Sequence, residues 1–111
     1  MSVNLILAGL LAASPLPVAT EETPSANFLE SRLRGCLIAG STATDQSDLR
    51  AAVLQVRSLC GVQIARVRDR RVADATRGLK GDAADAAEIR AVRTLNDEIA
   101  FAIASMTGLK L

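Results

Sequence analysis

The sequence predicts an all-α fold: a long antiparallel helical hairpin with a shorter N-terminal helix pinned across it by one disulfide. Three observations carry this. Apolar residues recur at steps of three and four along two long stretches, Leu49, Val53, Val56, Cys60, Ile64, Val67 and Val92, Leu95, Ile99, Ile103, Met106. That is the period of one buried helix face and not the alternation of a strand. Between them lies a turn-forming segment, Gly78-Leu79-Lys80-Gly81-Asp82. Finally, the chain has two cysteines, Cys36 and Cys60, in separate predicted helices.

The long limbs are expected over about 48–77 and 83–107. A turn near Lys80 makes them antiparallel, with facing residue numbers summing to roughly 160 at helical rise. Val67 then meets Val92, Ile64 meets Leu95, Cys60 meets Ile99, Val56 meets Ile103 and Val53 meets Met106. One register serves all five pairs. Gly61 inside the first limb costs about 1 kcal/mol relative to Ala, and a continuous helix is still expected through it. Ser47 or Asp45 is expected to open this limb, and Asp85 with Glu88 fits a capping box at the start of the other.

The N-terminal helix is expected over about 25–39, capped by Thr23 ahead of Pro24 or by Ser25. Its inward stripe is Ala26, Leu29, Leu33, Cys36 and Leu37, with Gly40 as terminator. Residues 1–20 read as an export signal. The apolar run Val3 to Ala13 is too short to span a bilayer, and Ser14 to Thr20 is rich in small residues and Pro. Residues 21–24 are a linker, and 25–111 a single small helical domain.

Half the residues are apolar, yet there are only two Phe and no Trp or Tyr. So thin a core calls for a covalent staple or a partner subunit. An even cysteine count without CxxC spacing, in a chain without histidine, favours a Cys36–Cys60 disulfide over a zinc site. Closing a loop of about 25 residues is worth on the order of 3 kcal/mol. Export signal and disulfide together place the protein in the periplasm or outside the cell.

Thirteen basic and twelve acidic residues leave a net charge of +1, which argues against a nucleic-acid partner. The charge is uneven: the segment Arg50–Lys80 is strongly basic and Asp82–Glu98 acidic. Arg66, Arg70 and Arg77 share one side of the second helix as a candidate anion-binding face. Where the apolar seam stops, Arg71 is expected to pair with Glu88 across the hairpin tip, with Asp74 steadying it from within its own helix.

Without histidine, neither a Ser-His-Asp nor a Cys-His arrangement can be built, and no phosphate-binding loop or metal-ligand spacing is present. No catalytic residue, cofactor or metal is therefore expected. The leading expectation is a non-enzymatic interaction or structural module with a protein partner or a second copy of itself. Its candidate surface is Val62, Phe101, Leu54 and Val72, which the seam leaves outside. The alternatives are a binder of anionic lipid or glycan through the Arg66–Arg77 face, and a small helical enzyme acting on an anionic metabolite.

Overall fold

The computed structural model describes residues 25–110. The expected export signal and linker lie outside the described residues. Among the described residues four helices follow one another: α1 (Ala26–Ala43), α2 (Leu49–Leu59), α3 (Gly61–Thr76) and α4 (Gly81–Thr107).

Ser25 caps α1, its Oγ accepting the Phe28 N–H at 3.1 Å. The helix does not stop at Gly40 but continues to Ala43. Gly40 is buried, and a Cβ built there would stand 3.0 Å from Cγ1 of Val56. This glycine lets α1 approach α2 closely; it is a packing residue and not a terminator. Asp48, not Ser47 or Asp45, caps α2, because its carboxylate reaches the Ala51 N–H at 3.0 Å.

The expected continuous helix is interrupted at Cys60, whose backbone sits at φ −102°, ψ 19°. The interruption is one residue wide: Cys60 N–H still donates to Val56, and Ile64 N–H to Cys60. A tethered cysteine followed by the weakest helix former short of proline concentrates the break here. No close approach explains Gly61, since a Cβ there would meet nothing within 4 Å.

The turn after α3 uses Gly78 and Gly81 at φ +78° and +58°, where a side chain is disfavoured. Helix α4 therefore begins at Gly81, two residues early. Its cap position is Lys80 without a side-chain bond, so Asp85 and Glu88 make no capping box. Gly108 at φ +75° closes α4 through a bond to Ala104.

The disulfide joins Cys36 to Cys60, with Cα atoms 5.9 Å apart. Partners along α1 fix its direction: Glu30 bonds Arg71, Cys36 bonds Cys60, Gly40 abuts Val56 and Thr44 donates to Gln55. Numbers rise on one side and fall on the other. Helix α1 thus runs antiparallel to α2 and α3, lengthwise along the hairpin. The core cluster is Leu33, Leu37, Leu49, Ala52, Val56, Cys60, Ile64, Val67, Leu95, Ile99 and Ile103. Expected seam residues Val53 and Val92 are only half-buried and Met106 is exposed, while Ala52 and Ala87 are buried. On α4 the buried positions advance in fours (87, 95, 99, 103), so the seam winds round the helix and ends on alanine at the tip.

Candidate functional site

The basic residues of α3 sort by what they touch. Arg71 does not meet Glu88. Its Nε and one terminal nitrogen bond the two carboxylate oxygens of Glu30 on α1 at 2.9 and 2.8 Å, and that terminal nitrogen also reaches Glu98 on α4 at 2.9 Å. A planar guanidinium suits this fork geometry. The hydrogen bonds that Arg71 donates hold the Glu30 carboxyl below its ordinary value, and the same bonds to Glu30 foremost raise the pKa of Arg71. One arginine therefore ties three helices together. Glu88 instead shares a surface wall with Ile89, Val92, Arg93 and Asn96, all on α4. The expected tip pairing fails because the winding seam turns Glu88 out and α1 brings a nearer carboxylate.

Asp74 is not the support of Arg71 either. Its carboxylate accepts from Arg77 at 2.7 Å and from Arg70 at 3.3 Å, and those bonds, the one from Arg77 foremost, lower its pKa. Two members of the candidate anion-binding face are thereby bound to a carboxylate of their own helix. The third, Arg66, stands apart in a different setting.

Two grooves flank α1. The one toward α4 encloses about 150 Å³ over Leu33, Leu37, Leu95, Ile99 and Ala102, and the Glu30–Arg71–Glu98 bonds lie on its rim. The other, about 270 Å³, runs between α1 and α3 and is lined by Phe28, Leu29, Arg32, Val62, Gln63 and Arg66. Its apolar surface is exposed: Phe28 by 51% and Val62 by 61%. The Arg32 guanidinium lies 5.7 Å from the centre of the Phe28 ring, a cation–π contact. Neither Arg32 nor Arg66 has an ion-pair partner among the described residues. No acidic residue lines this groove among the described residues. Apolar Phe28, Leu29 and Val62 share it with one arginine from each helix, Arg32 and Arg66.

Of the candidate partner-surface residues, Leu54 and Phe101 are exposed by 65% and 74%, and Val72 is half-buried. The break at Cys60 puts Leu54 and Val72 on separate helices. Only Val62 of the four lines the groove. Sequence reasoning missed Phe28 and Arg32. The available signal was their spacing, i and i+4 on α1, on a face outside the stripe Leu29, Leu33, Leu37.

Among the described residues no cluster of His, Cys, Asp or Glu has the makings of a metal site. No described helix is long and apolar enough to cross a membrane. No known family, curated protein or solved structure matches the chain.

Proposed function

We propose that this protein is an exported, non-enzymatic interaction module whose contact surfaces are built around its two phenylalanines. One observation carries the reading: both aromatic residues of the chain lie outside the core, Phe28 on α1 and Phe101 on α4. Burying a phenylalanine stabilises a fold by about 1.5–3 kcal/mol, and a small domain with a core of Leu, Ile, Val and Ala leaves that stabilisation unused twice. Aromatic side chains are enriched where proteins touch one another. The disulfide supports an oxidising compartment, periplasmic or extracellular. Binding of anionic lipid or glycan has weaker support, because Arg70 and Arg77 are already engaged by Asp74.

The test is site-specific crosslinking. A photoreactive phenylalanine analogue at position 28 or 101, in cells that make the protein, is expected to trap a protein adduct upon illumination. Folded protein that gives no adduct from either position overturns the proposal.

A further inference from the structure

The two exposed phenylalanines sit in surroundings of opposite charge. Phe28 shares its groove with Val62, Arg32 and Arg66 and, among the described residues, with no acidic side chain. Phe101 is on α4, none of whose residues lines that groove. One helical turn before it, on the same outward face, is Asp97, an exposed carboxylate with no ion-pair partner among the described residues. Among the described residues, then, a cleft of apolar and cationic side chains has two arginines without an ion-pair partner and, on a different helix, an apolar knob has a carboxylate without one.

We infer that the occupant of the α1–α3 groove is a second copy of this chain. Phe101 of one copy enters between Phe28 and Val62 of the next, with its Asp97 directed to Arg32 and Arg66. The inference rests on the proposed interaction role and names the partner. Each component answers a deficit: the aromatic ring fills space beside Phe28 and Val62 in a groove of about 270 Å³, and the carboxylate supplies a counter-charge that the described residues do not place in this groove. The inferred contact is heterologous, each copy offering its groove to one neighbour and its knob to another. Each copy that docks leaves one groove and one knob free, and assembly proceeds head to tail into a ring or a fibre as the rotation between copies dictates.

The test uses the disulfide-bonded protein and two variants. Phe28→Glu spoils the groove and opposes the incoming Asp97. Phe101→Lys spoils the knob and opposes the groove arginines. Circular dichroism and melting first verify that each variant folds. By sedimentation velocity and light scattering, wild type is expected to grow beyond a dimer as concentration rises. Each variant alone is expected to be monomeric over the same range, with association weakened on the order of 100-fold. Mixed in equal amounts they are expected to give a 1:1 dimer and nothing larger, because each keeps the surface the other has lost. Should either variant fold poorly, Arg66→Asp and Asp97→Arg provide the same mixing test from the charges alone.

Wild type that stays monomeric at every concentration overturns the inference. So does a wild-type dimer that grows no further, or a mixture that stays monomeric. The crosslinking experiment separates these failures from failure of the interaction role itself. An adduct with a different protein keeps that role and removes the second copy; an adduct of twice the chain mass supports both.

Discussion

The two ends of the bundle are held by different chemistry. At the end where α1 meets α2, a disulfide, a glycine contact and fully buried Val56 and Cys60 make a dry junction. Toward the tip, where α3 turns into α4, the core tapers to Ala87, and charged residues take over. Between the two lies the Glu30–Arg71–Glu98 bridge, partly exposed. Covalent and steric constraints act without competition from water, whereas exposed ion pairs contribute only about 0–1 kcal/mol each. The dry end should carry stability, and the charged part should fix how the helices align.

Removing the staple gives the largest expected effect. Cys60→Ser should lower stability by about 3 kcal/mol, a melting shift of roughly 12–24 °C for a domain of this size. Thermal denaturation with and without reductant checks it; a shift of a degree or two would mean that the dry end does not depend on its tether. Next comes Gly40→Val. With only 3.0 Å available to a Cβ beside Val56, the added methyls must push α1 off α2, at a cost of about 2–3 kcal/mol by urea denaturation. Gly61→Ala is the control: open space at that position predicts no loss and a gain of up to about 1 kcal/mol.

Arg71→Ala should cost on the order of 1–2 kcal/mol, since it leaves two carboxylates facing one another without their shared cation. The smallest effect is a pH dependence. Hydrogen bonding to Arg71 holds Glu30 below its ordinary value of 4.5. That stabilisation is complete above the unfolded value and is lost as pH falls through the folded one. Stability of wild type should therefore decline on acidification below about pH 4.5, and Glu30→Gln should flatten part of that decline. Asp74 is lowered in the same direction, so some slope should remain. An unchanged slope in Glu30→Gln would show that the bridge does not form in solution.

What the sequence made legible follows the same division. Helical class, the hairpin turn at Gly78 and Gly81, and the cysteine pair were all readable, because periodicity, turn residues and cysteine parity are local or pairwise signals. The partners of Arg71 and Asp74 were not. A register inferred from two helices omits the third, and the carboxylate that captures Arg71 belongs to α1. A fixed register puts Val92 on the seam because it ignores the winding that brings Ala87 inward. The Phe28–Arg32–Val62–Arg66 groove was hidden for the same reason: half its wall comes from α1, whose direction along the hairpin no spacing rule specifies.

In the proposed function the phenylalanines serve contact and not folding. The double variant Phe28→Glu, Phe101→Glu tests it directly. Glu at position 28 stands three residues after the Ser25 cap, where it completes a capping box, and Glu at 101 occupies an exposed helix site. Melting temperature and particle mass should be measured on the same sample. The expected result is a melting temperature within a few degrees of wild type together with loss of self-association. A drop approaching that of Cys60→Ser, or an unchanged mass, would contradict the claim.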